Sequence, residues 1–224
     1  MMNYAIAIDG PAGAGKSTIA KILAKELKLI YVDTGALYRA VGYYTTGRGI
    51  ASDDVEGVTA ALKDLSVELR YVDGAQRVFV NDEDVSDYIR TPAISMAASA
   101  VSAIPAVRAF LLNTQRSIAA QNNVVMDGRD IGTVILPDAK VKIFLTASPE
   151  SRATRRFAEL QEKGDPATYD EVLADMKERD YNDSHRATAP LKQAEDAVLV
   201  DTSGETLEQS VARIKTVVQK KLAE

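Results

Sequence analysis

Residues 10–18 read Gly10-Pro11-Ala12-Gly13-Ala14-Gly15-Lys16-Ser17-Thr18 and fit the spacing G-x-x-x-x-G-K-[ST]. Small residues at those positions let backbone N–H groups turn inward and wrap phosphate oxygens. The stretch lies between an apolar run, Tyr4–Ile8, and a helix-like pattern, "TIAKILAKELK". A phosphate loop needs that context, because the positive end of the following helix adds to the field on the anion. Lys16 can then reach the β- and γ-phosphates of a nucleoside triphosphate, and the Ser17 hydroxyl can ligate Mg2+. The alternative is a tight strand-to-helix turn that holds no ligand.

Arginine is the second chemical signal. Arg39 follows "DTGALY" and Arg129 lies in "MDGRDIG", each just past an apolar run. Arg108 shares a helical face with Leu111 and Leu112, which turns its head inward. Arg179, Asp183 and Arg186 fall at i, i+4 and i+7, one face of a helix if the helix continues that far. The alternative for this last group is a surface salt bridge, which contributes little. Further arginines stand at 152, 155 and 156. Two phosphate groups brought together repel, and arginine forks with Mg2+ offset that repulsion. Phosphoryl transfer to a second phosphate uses these residues best. An N-K-x-D guanine-reading element and an L-S-G-G-Q-like signature are both missing, which argues against a GTPase switch or a transporter ATPase.

Positioning these side chains calls for a sheet. Five short continuous apolar runs, at 4–8, 29–32, 123–126, 141–145 and 197–200, suit strands buried on both faces of a parallel sheet. Four are followed at once by aspartate: Asp9, Asp33, Asp127 and Asp201. In open α/β sheets ligands sit at the carboxyl ends of strands, although an aspartate there also starts loops and caps helices. Helical patterns begin at Pro105, at Ser148-Pro149-Glu150, at the Thr168/Glu171 capping-box pair and at about Thr206. This alternation predicts a three-layer α/β fold. Residues 66–90 break the rhythm with alternation on both sides of Asp73-Gly74, which predicts an inserted antiparallel hairpin. The charge-rich piece 152–166 is expected to be an exposed helix and turn.

Composition narrows the classes. The 224 residues carry a net charge of −5, no cysteine and one histidine, His185. Disulfides, thiolate metal sites and multi-histidine centres are excluded, and a reducing compartment fits. A net negative charge argues against nucleic-acid binding, for which only "RATRR" and "RIKTVVQKK" speak. No run approaches the length of a membrane span, and the N-terminus lacks the features of a signal peptide. No sustained heptad demands a partner, so a cytosolic (cytoplasmic) monomer is expected.

Seven stretches in order span nearly the whole chain: "IAIDGPAGAGKST", "YVDTGALYRA", "EDVSDYIRT", "AASAVSAIPAVRAFLL", "DGRDIGTVILPDAKVKIFLTAS", "LQEKGD" and "ERDYNDSHRATAPL". In them the sequence closely resembles the bacterial cytidylate kinases, within the nucleoside monophosphate kinases. The resemblance implies a P-loop NTPase fold with a five-stranded parallel sheet. Its core would cover 1–34, 106–148 and 168–224, with a nucleoside monophosphate-binding insert at about 35–105 and a short lid at about 149–167. It implies Mg2+-dependent transfer of the ATP γ-phosphate to CMP or dCMP, giving CDP or dCDP and ADP. Gly10, Pro11, Ala12, Gly13, Ala14, Gly15, Lys16, Ser17 and Thr18 would hold ATP, with Arg155 near its adenine or phosphates. Thr34 and Arg39 would contact CMP, and Ser99, Arg108 and Asp130 would read cytosine. Arg129, Arg179 and Arg186 would clamp the transferred phosphate with Lys16, and Asp183 would bind the sugar. Asp127 is either a partner behind the magnesium or strand-end structure. His185 is expected to be structural, and Tyr181, Asn182 and Ser184 carry no assigned role. A uridylate or shikimate kinase, and a nucleotide switch that hydrolyses ATP without an acceptor, remain the rivals.

Overall fold

The computed structural model describes residues 3–72 and 75–223. The chain divides into two compact units, Met1–Ile30 with Asn122–Glu224, and Tyr31–Gln121. All five apolar runs form strands: β1 (Ala5–Asp9), β2 (Ile30–Asp33), β6 (Val124–Gly128), β7 (Val141–Thr146) and β8 (Val198–Asp201). They make one sheet in the order β2-β6-β1-β7-β8. Its central pairs run parallel, with Ile8 opposite both Asp127 and Ile143. Strands β1 and β6 are buried at every residue, which is why their sequences do not alternate.

In the first unit, helix α1 (Lys16–Leu27) follows the P-loop, and Gly15 precedes it in the left-handed region. Gly10 is required by close approach: a Cβ there would lie 1.9 Å from the Leu145 carbonyl oxygen. Helix α6 (Pro149–Glu162) begins on a Ser148 cap, and α7 (Tyr169–His185) on the expected Thr168/Glu171 capping box. Helix α8 (Leu207–Ala223) closes the chain. The segment expected as a lid is therefore α6 and its connection to α7. Ala153 and Leu160 of α6 pack against Val172 and Met176 of α7.

Two expectations change here. The 152–166 piece is not an exposed helix throughout, because Arg152 is only 2% exposed and sits among hydrogen-bond acceptors. Helix α7 also ends before Arg186, whose ψ of 141° turns the chain into an extended path. The i, i+4, i+7 face is thus completed by a residue just outside the helix.

The second unit holds α2 (Thr34–Thr46), α3 (Val55–Ala61), α4 (Pro92–Val101), α5 (Pro105–Gln121) and the strands β3 (Val67–Val72), β4 (Ala75–Val80) and β5 (Glu83–Asp84). The expected antiparallel hairpin is present as β3-β4, extended by β5. Its turn at Asp73-Gly74 lies outside the described residues. One core joins Leu37, Val41, Val78, Val80, Ile89, Val101, Val107 and Leu111. Because α5 contributes to that core, the unit extends beyond the 35–105 insert outlined from sequence. Among the described residues no single helix is long and apolar enough to cross a membrane.

Candidate active site

The P-loop occupies the corner between β1 and α1. Lys16 is buried and donates from Nζ to the Pro11 carbonyl at 2.6 Å. Burial, with the Arg129 charge nearby, pushes its ammonium well below the ordinary lysine value, against the pull of Asp127, Asp183 and Asp9. The Ser17 hydroxyl donates to Asp127 Oδ2 at 2.8 Å, which places an acid from the end of β6 directly behind the hydroxyl. Among the described residues no cluster of three or more metal-ligating side chains exists. A hydroxyl backed by one carboxylate is a donor set for a magnesium that takes most of its ligands from phosphate and water.

A turn of residues 129–135 follows β6 and carries Arg129 and Asp130. Asp9, at the end of β1, anchors it by accepting from the Ile131 and Gly132 N–H groups, both at 2.7 Å. Burial pushes the Asp9 carboxyl up to about 6 in spite of those two bonds, and Asp130 adds to the shift. Arg129 donates from Nε to Asp183 of α7 at 2.7 Å. Arg186 lies 3.5 Å from Asp130 and 3.8 Å from the other Asp183 oxygen. All four side chains are largely buried. Burial opposes the charge on Asp183, but Arg129, Arg186 and Arg179 hold its carboxyl below the usual range. Arg179 stands one turn before Asp183 on α7, so Arg129, Arg179 and Arg186 come together around the Asp183 carboxylate within this unit. Arg155 of α6 donates to the carbonyls of Thr202, at 2.8 Å, and Glu205, at 3.4 Å.

The second unit carries Thr34, Arg39, Ser99 and Arg108. Thr34 is buried at the first position of α2, after Asp33, whose side chain caps the helix through the Ala36 N–H. Asp33 also accepts from Arg39 at 2.8 Å and from Arg90 at 3.2 Å. Burial raises and these arginines lower its pKa, and the arginines prevail. Strand β4 braces the corner, since Gln76 Oε1 accepts the Asp33 N–H. Arg108 is buried, donates to the Ser102 carbonyl at 3.2 Å and lies over the Tyr38 ring. The Ser102 hydroxyl in turn donates to the Ser99 carbonyl, so Ser99 and Arg108 meet around one residue.

Tyr181, Asn182, Ser184 and His185 are exposed, and the Tyr181 ring stacks on His185 with centroids 4.1 Å apart. Sequence reasoning missed Asp9 as an anchor, Arg90 and Gln76 as partners of Asp33, and the burial of Arg152. The aspartates that follow four of the five apolar runs were the available signal for the first two groups. For Arg152 it was the Ser148-Pro149 cap, which places the residue in the first turn beside a strand end.

Comparison with known proteins agrees with this geometry. The family model described as cytidylate kinase matches residues 6–220. The chain belongs to the cytidylate kinase family. A cytidylate kinase from Caldanaerobacter subterraneus is 52% identical over 215 residues, covering 96% of this chain and 94% of its own. One from Caldicellulosiruptor saccharolyticus is 49% identical, covering 96% and 95%. A solved structure of an uncharacterized protein from Eubacterium ventriosum superposes with a TM-score of 0.55 at 15% identity over 97% of this chain and 99% of that one, which speaks to the fold alone. Membership in the cytidylate kinase family makes the chain a nucleotide-binding phosphotransferase.

Proposed function

We propose that the protein transfers the γ-phosphoryl group of ATP to CMP, and also to dCMP, giving ADP and CDP or dCDP. The observation that carries the reading is the convergence of Lys16 and the P-loop with the Arg129–Asp183–Arg186–Asp130 group, in a chain whose relatives are named cytidylate kinase. An oxygen of the CMP phosphate attacks the γ-phosphorus, and the bond to the β–γ bridging oxygen breaks. The acceptor is already anionic, so no side chain has to remove a proton. Arg129, Arg179 and Arg186 neutralise charge on the moving group, and Lys16 does so from the donor side. The triphosphate restores the Lys16 ammonium that burial disfavours.

Mg2+ would be held by the Ser17 hydroxyl with Asp127 behind it, and supplies charge neutralisation at the phosphate oxygens. The P-loop amides fix the donor, and Thr34 and Arg39 bind the acceptor phosphate. Asp130 accepts from the cytosine amino group, while Arg108 and Ser99 donate to the ring acceptors. Uracil would present an oxygen to Asp130 and be disfavoured by ~1–3 kcal/mol. Asp183 contacts the sugar, and the α6 region excludes water.

The test is ADP production from ATP and Mg2+ with CMP, dCMP, UMP, AMP, GMP and shikimate supplied separately. Turnover is expected with CMP and dCMP, weak with UMP and absent with the others. Turnover only with shikimate or UMP would replace the acceptor, and ADP release indifferent to every acceptor would make the protein a nucleotide hydrolase.

A further inference from the structure

Arg152 has no part in the mechanism above, yet it is buried and held by several hydrogen bonds. Its side chain is 3% exposed and makes hydrogen bonds to three separate segments. Nε donates to the Ala147 carbonyl at 2.8 Å, at the end of β7. Nη1 donates to the carbonyl of Ala12, inside the P-loop, at 2.9 Å. Nη1 and Nη2 together engage the Asp180 carboxylate of α7 in a two-pronged pair.

The position of Ala12 gives these bonds a consequence for the donor. A peptide whose carbonyl is held outward by Arg152 directs the adjoining N–H, that of Gly13, the opposite way. Gly13 has a φ of +72°, and a Cβ there would come within 3.1 Å of Met176 Cε on α7 and 3.5 Å of Arg152 Cβ. The tip of the loop therefore rests on the α6–α7 pair, with Arg152 as the polar link between them. On the far side of that link, Asp180 immediately follows Arg179 and precedes Asp183 by three residues. A shift of α7 would move Arg179 and the partner of Arg129 together.

We propose that Arg152, with Asp180, is the positioning pair that couples the donor cradle to the arginine-bearing helix. It sets the P-loop amides for the triphosphate and fixes α7 so that Arg179 and Asp183 face the transferred phosphate. Arg152 touches neither nucleotide and acts through Ala12 and Asp180. The inference rests on the kinase reading above for its acceptor but on the P-loop alone for its donor.

Arg152→Lys keeps the charge but cannot reach all three acceptors, and Asp180→Asn keeps the shape but weakens the pair. Both variants are to be checked for folding by circular dichroism and thermal melting, then assayed with ATP and CMP varied in turn. Arg152→Lys is expected to raise the KM for ATP and weaken binding of a non-hydrolysable ATP analogue by roughly tenfold, since small displacements of binding groups cost that much or more. Asp180→Asn is expected to lower kcat by roughly tenfold with a smaller change in the KM for ATP. The double variant should lose no more kcat than the worse single one, because both changes cut one link. Folded variants with unaltered kinetic constants and reduced melting temperature would show a purely structural role and overturn the proposal, as would losses that multiply in the double variant. If Arg152→Lys does not fold, Asp180→Asn decides the matter by its kcat. Absence of CMP turnover in the unaltered protein would refute the acceptor assignment instead, and the analogue-binding arm would still test Arg152.

Discussion

The donor cradle and the arginine group are assembled in opposite ways. The cradle is contiguous in the chain and built mainly from backbone, and its one cation, Lys16, is bonded to a carbonyl rather than to a carboxylate. The arginine group is gathered from residues more than fifty positions apart, and its cations are held on carboxylates: Arg129 on Asp183, and Arg186 on Asp130 and Asp183. Arg39 rests on Asp33 in the same way in the other unit. The pKa directions follow. Lys16 is pushed down by burial, whereas Asp183 and Asp33 are held down by their arginines. A backbone cradle stands ready for its anion, while a buried arginine on a carboxylate keeps its charge and orientation until a phosphate competes for it.

The largest expected effect is at Lys16, the cation of the P-loop. Lys16→Ala should lower kcat/KM by about a thousandfold, the scale for removing one charged donor to a phosphoryl group. A loss below tenfold in steady-state assays would mean that the backbone cradle suffices and would break the contrast. Asp9 sharpens the contrast from the other side, since it is a buried carboxylate facing N–H groups instead of arginines. Its folded pKa of about 6 exceeds the ordinary 3.8, so the folded state binds this proton more tightly than the unfolded chain. Its contribution to stability is full below the unfolded value and is lost as pH rises through the folded one. Between about pH 4 and pH 7 that loss is about 2 kcal/mol. Asp9→Asn should remove it, and urea unfolding of both proteins at the two pH values measures the difference. Equal pH dependence in the two proteins would contradict the assignment.

Arg179→Ala should lower kcat tenfold or more with the melting transition retained. Near-normal turnover would take Arg179 out of the arginine group. The smallest effect is expected at Asp130. Asp130→Ala should reduce the preference for CMP over UMP by roughly tenfold in kcat/KM, more than it lowers turnover at saturation. An unchanged ratio would leave Asp130 as a partner of Arg186 only.

The same contrast explains what could be read from sequence. The strands were legible as unbroken apolar runs, which burial at every residue explains for β1 and β6 but not for β8, where Leu199 is exposed. The P-loop was legible because its parts are adjacent and Gly15 takes the left-handed backbone that opens α1, although Gly10 answers to the distant Leu145 carbonyl. The arginine group was legible as a spacing within 179–186, but not as pairs, because Arg129 meets Asp183 only through the packing of α7. Arg186 shows the limit of periodicity: the spacing assumes a helix that ends one residue too soon. Arg152 was least legible. Nothing in "RATRR" marks one arginine for burial, since the acceptors that make it tolerable come from Ala147, Ala12 and Asp180.

The central claim is transfer between two phosphates, and phosphorus NMR of one reaction mixture tests it directly. With ATP, Mg2+, CMP and the protein together, the account predicts that CDP and ADP grow in equal amounts while inorganic phosphate does not appear. ADP rising with inorganic phosphate and no CDP would contradict it.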